Sequence, residues 1–233
     1  MINGSTRMSD VILSNLNLLG VLGCFGIRPG TGEMTVREIC AAKGVDTAFL
    51  LAILNTYAYD DYFPSTGDID TDKLIDYLKK THNYYANITI PRIELLIRKL
   101  IKNLPDEKLP VHISRYFRVY KTELLKHMKF EEKALFPLLK DLMNGKKKNK
   151  SEAAEFFRRL EDDHTNVEEK LKDLKTILVR YVPAEADDQT VFELLYTLSV
   201  FDKDHFNHSN FEDKILIPKI KELLKSSIKK NAR

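Results

Sequence analysis

The sequence predicts an all-α protein: an antiparallel up-down-up-down four-helix bundle preceded by a small helical N-terminal domain. Three observations predict it. Glycine and proline are sparse, 9 and 8 in 233 residues, while hydrophobic residues at 43% and charged residues at 30% give the balance of a globular chain. From Thr71 onward, four long helical patterns follow one another across short polar connections. Before Thr71 the helical patterns are short and broken by turn-forming residues. The expected division is a small helical domain over 1–70 and the bundle over 71–233.

In the first part, Asp10 to Leu22 reads as one short amphipathic helix, followed by the glycine-rich turn GIRPGTGE (26–33). TVRE (35–38) has the form of a capping box, in which the threonine and glutamate side chains satisfy each other's backbone N–H groups. It opens a helix that Gly44 can end. Asp46 can cap a third helix over roughly 47–59. YDDYFPSTGDID (59–70) has the composition of a linker.

The first long helix starts near Thr71 and passes Pro91, where a kink or break is expected. The second runs from about Pro110 to Met143 and the third from Ser151 to about Tyr181. The fourth runs from the end of VPAEADDQ (182–189) to about Lys225. The connections are short enough to make consecutive helices antiparallel neighbours.

Composition excludes several classes. A formal net charge of +3 does not call for nucleic acid. The apolar stretch from Val11 to Ile27 is interrupted by Asn15, Asn17 and glycines, so no membrane span is expected. The start, MINGSTRMSD, lacks the basic and apolar regions of a signal peptide. Cys24 and Cys40 form neither a disulfide framework nor a CxxC pair. A cytoplasmic location is expected. Residues 35–54 also read as helix, glycine turn and helix, but after Lys43 no Lys or Arg appears until Lys73, which argues against DNA recognition there.

The chemistry lies in a repeated string. HMKFEEKALFP (127–137) and HSNFEDKILIP (208–218) share His, Phe, Glu, Lys, Leu and Pro at the same offsets. Glu131 follows His127 by four residues, and Glu212 follows His208 by four. On a helix such pairs sit about 40° apart around the axis, so each helix presents one imidazole and one carboxylate on one face. The other two long helices carry His82 and His164 at similar depth. One histidine on a helix is more often packing than ligand. The joint set, His82, His127, Glu131, His164, His208 and Glu212, is a closed group of imidazoles and carboxylates. Carboxylates can bridge two cations about 3.5–4 Å apart. Such a mixed set suits iron, manganese or zinc better than copper(I) or calcium. Pro137 and Pro218 are expected to bend or loosen their helices beyond the metal layer.

H-x-x-x-E-x(5)-P, twice, with single histidines on the other two helices, resembles the hemerythrin-like or HHE cation-binding domain over roughly residues 71–225. More narrowly, the arrangement resembles the repair-of-iron-centres proteins, also described as regulators of cell morphogenesis and nitric oxide signalling. The resemblance implies two non-haem iron ions with an oxo or hydroxo bridge. Their ligands would be His82, His127, Glu131, His164, His208 and Glu212, with the two glutamates bridging. It implies a stress-response protein acting on damaged iron–sulfur or other iron centres, or alternatively a module that binds or senses oxygen or nitric oxide. Damaged iron-centre proteins and those gases are then the expected partners; the sequence leaves a homodimer open. One departure stands out. The small domain of that family usually carries a Cys-Cys pair in its turn, where Pro29 and Gly30 stand here.

Further residues lie near the predicted site. His205 shares the face of His208 and Glu212, and is a candidate seventh ligand, supporting donor or proton shuttle. Glu168 follows His164 by four, where oxygen-carrying hemerythrins usually place a second histidine. Glu123 could hold His127 by accepting its second N–H. Tyr84, Tyr85 and Tyr120 are expected to pack, and His112 has no arguable role. An oxidase or peroxidase would be expected to carry more carboxylates and fewer histidines.

Overall fold

The computed structural model describes the backbone of residues 1–105, 108–146 and 150–229. The side chains of 150–157, 159–164 and 226–229 lie outside that description. Among the described residues every regular element is helical, and the chain divides into two compact units, Met1–Thr81 and His82–Arg233.

The first unit contains α1 (Met8–Ser14), α2 (Leu18–Cys24), α3 (Val36–Lys43) and α4 (Thr47–Ala58). The expected single helix over Asp10–Leu22 is in fact two. The Asn15 side chain accepts the Asn17 N–H at 3.1 Å, a local turn that competes with the helical ladder. The capping box at Thr35 and Glu38 is present in both directions. Gly44 ends α3 at a φ of 64°, a conformation that favours glycine, and the Asp46 side chain caps α4 through the Phe49 N–H. Asn55 in α4 ties down the start of the chain. It accepts the Ile2 N–H and donates to the Ile2 carbonyl, both at 2.9 Å. Cys24 is half-buried and Cys40 buried, with no disulfide between them, and burial pushes the Cys40 thiol up.

The second unit begins within α5 (Thr71–Tyr84) and continues through α6 (Ile90–Lys102), α7 (Lys108–Phe130), α8 (Phe136–Met143), α9 (Lys150–Tyr181), α10 (Asp188–Phe211) and α11 (Ile217–Lys229). α6 packs on α7 and α10, and α9 packs on the same two, which closes a four-helix ring. α6 shows why. Ile90, Ile93, Leu96, Ile97 and Leu100 recur at three- and four-residue spacing and are all buried. They meet Ile113, Phe117 and Leu124 of α7, Leu171 and Leu174 of α9, and Leu194 and Leu198 of α10 in one core. Each fully buried leucine or isoleucine contributes about 2 kcal/mol. No helix of the described residues is long and apolar enough to cross a membrane.

Pro91 does not break the first long helix. A single π-helical turn, Tyr85–Thr89, links α5 to α6, and the Ile90 N–H bonds to the Tyr85 carbonyl five residues back. Two more turns of this kind, Glu131–Leu135 and Glu212–Leu216, link α7 to α8 and α10 to α11. All three end two residues before a proline: Pro91, Pro137 and Pro218. Proline lacks an N–H, and its ring clashes with the carbonyl four residues earlier. An extra residue in the preceding turn relieves that conflict without ending the helix. The loosening expected near Pro137 and Pro218 therefore lies before each proline. It starts at the glutamates themselves.

Candidate metal centre

Five of the six predicted side chains come together inside the second unit. His82 lies near the end of α5, His127 and His208 in the last turns of α7 and α10, and Glu131 and Glu212 open the two π turns that follow. All five are buried, and both glutamates are at 0% exposure. His164 falls on α9, where its side chain lies outside the described residues.

The donor atoms of His82, Glu131, His208 and Glu212 all lie within 4.8 Å of one another. His82 Nε2 is 3.0 Å from His208 Nε2 and 3.2 Å from Glu131 Oε2. His127 Nε2 is 2.8 Å from Glu131 Oε1, and His208 Nε2 is 3.5 Å from Glu212 Oε1. Glu131 thus turns each of its two oxygens to a different imidazole, one on its own helix and one across the bundle. The His82 ring is set by Phe136, stacked at 5.9 Å, and by His208, tilted at 4.9 Å.

Two buried carboxylates need positive charge beside them. Burial pushes the His82 imidazole toward neutrality, but the hydrogen bonds to Glu131 and Glu132 more than reverse this and hold it at about 9. Without a cation, a proton on His82 offsets part of that charge. The same spacing fits a cation. Two imidazole nitrogens that share one ion at about 2.1 Å lie about 3–3.4 Å apart, depending on the angle between them. That matches the His82–His208 separation of 3.0 Å. The chemistry of the donor set and its spacing therefore both fit metal.

Residues 73–220 match the family described as the hemerythrin HHE cation binding domain. The chain belongs to the hemerythrin HHE family. The match runs through α5 to α11, and so includes every residue of the cluster. The chain is also similar to the iron-sulfur cluster repair protein ScdA of Staphylococcus haemolyticus (strain JCSC1435). The two are 23% identical over 190 residues, 81% of this chain and 85% of that protein. This likeness is longer than the HHE region, so it reaches beyond the bundle.

Other residues singled out in the sequence fall as follows. His205 is buried beside the cluster but outside its converging four. Its ring is stacked on His208 at 6.3 Å and packs against Phe201 and Tyr85. Glu123 is ion-paired to Lys170 of α9 at 2.9 Å. Glu168 is half-buried on α9, and His112 is exposed with Nδ1 2.7 Å from the Lys108 carbonyl oxygen. Tyr85 is buried against Phe201 and His208, and Tyr120 is buried in the core. Sequence reasoning missed Glu132, whose Oε1 is 3.0 Å from His82 Nδ1. The signal was there in the repeat: an acidic residue follows the buried glutamate in both copies, Glu132 and Asp213.

Proposed function

We propose that this chain holds two non-haem iron ions in its HHE bundle and helps repair oxidatively or nitrosatively damaged iron–sulfur or other iron centres in the cytoplasm. The observation that carries the reading is Glu131. One buried carboxylate faces His127 with one oxygen and His82 with the other, the arrangement that suits a ligand shared between two cations. His82, His127, Glu131, His208 and Glu212 would hold the pair, with His164 completing the set from α9. When bound, iron would supply one-electron chemistry and exchangeable metal. The residues' own part is to place these imidazoles and two carboxylates in a buried layer. Oxygen and nitrogen donors release iron more readily than a thiolate cage does. The family match supports cation binding, and the likeness to an iron-sulfur cluster repair protein supports the choice of task. Damaged iron-centre proteins are then the partners. The division of labour between residues 1–70 and 71–233 belongs to the same proposal.

The test is recovery of a cluster protein damaged with nitric oxide, mixed anaerobically with the iron-loaded chain. Recovery above that given by an equal amount of free ferrous iron supports repair, and recovery no greater overturns it. Metal analysis of the same preparation should give two irons per chain.

A further inference from the structure

We propose that Glu132 is a positioning residue of the metal centre, fixing from the second long helix which nitrogen of His82 faces the donor cluster. The inference rests on the metal-binding reading above. Glu131 and Glu132 are consecutive, yet both reach the same imidazole. Glu131 Oε2 lies 3.2 Å from His82 Nε2, and Glu132 Oε1 lies 3.0 Å from His82 Nδ1. In a regular helix consecutive side chains diverge by about 100°. Here they straddle one ring, which enters from the first helix, and the π turn Glu131–Leu135 begins at this pair.

The chemistry of the two contacts differs. The Glu132 side chain is 43% exposed, so its carboxylate stays hydrated and ionised at little cost, whereas that of Glu131 is at 0%. An ionised carboxylate only accepts hydrogen bonds, so His82 Nδ1 must donate to Glu132. With the Nδ1 proton committed outward, a neutral His82 carries its lone pair on Nε2. That atom is the one 3.0 Å from His208 Nε2. Glu132 thus selects the ligating tautomer, orients the ring together with the stacked Phe136, and raises the basicity of Nε2.

The experiment uses the full-length chain loaded with zinc(II), which is diamagnetic and is taken up by the same donor types. Release to a chelator is timed by absorbance, and the His82 ring nitrogens are read by 15N NMR. Glu132→Ala should release zinc about 10–100-fold faster and lose the uniform Nδ1–H signature of His82. Glu132→Gln keeps an acceptor oxygen without the charge, so it should restore the Nδ1–H signature and fall between the other two in release rate. Far-UV circular dichroism checks that both variants fold. If the unsubstituted chain takes up zinc and Glu132→Ala matches it in release rate and ring signature, the positioning role is overturned and the metal reading stands. If the unsubstituted chain takes up no zinc or iron, both fall together.

Discussion

Raising the pH of the metal-free protein should remove the proton that His82 holds at about 9, and the fold should weaken as it leaves. The folded state binds this proton more tightly than the unfolded chain, whose imidazole titrates near 6.5. The stabilisation is therefore fully present below 6.5 and is lost as the pH rises through about 9. Each pH unit in that window costs about 1.4 kcal/mol, so the whole interval costs about 3 kcal/mol. The source is the buried ring between Glu131 and Glu132, at 3.2 and 3.0 Å, which outweighs the burial that opposes charge. The assay is urea unfolding of the metal-free chain between pH 6 and 10, with His82→Asn measured alongside. The natural chain should lose about 3 kcal/mol more than the variant across the window. Parallel curves for the two proteins would refute the reasoning, and so would a rise in stability with pH.

Two other outcomes follow from the geometry. His127→Ala and His208→Ala should each lower bound metal well below two ions per chain by elemental analysis, and retention of two ions in either would defeat the ligand assignment. Tyr120→Phe should raise thermal stability by about 1 kcal/mol, because its buried hydroxyl has no hydrogen-bond partner among the described residues and an unmet hydroxyl carries a penalty that phenylalanine lacks; a loss of more than 1 kcal/mol would show that the hydroxyl is satisfied.

Much of the fold could be read from residue patterns because local rules and global packing agree. The capping box at Thr35, the Gly44 stop and the Asp46 cap act through groups only a few residues apart, and all three appear where expected. The histidine–glutamate pairs were legible for the same reason: four residues along a helix is a fixed distance in space. What escaped was what depends on neighbours far along the chain or on competition between local hydrogen bonds. The break between α1 and α2 turns on one asparagine side chain outcompeting the helical ladder. Glu132 could be seen as a second acid in the repeat, but nothing local says that His82, 50 positions away in sequence, lies beside it. The π turns were hidden because prolines announce a disturbance without saying how the backbone absorbs it.

Those turns have a consequence for reading frame. A π turn holds one residue more than an α turn, so it takes up the rotation of about 100° that the extra residue would otherwise impose on everything beyond it. His127 upstream and Leu138, Leu139 and Leu142 downstream are all buried, although they stand on opposite sides of such an insertion. Deleting one residue from Glu131–Leu135 would let that turn close as ordinary α-helix with the downstream leucines still facing their partners, but it would bring the Pro137 ring back against the carbonyl four residues before it. The length of that turn, as much as its composition, is part of the specification of this protein. Sequence comparisons that place a one-residue gap between the glutamate and its proline can therefore be aligning chains whose cores face the same way.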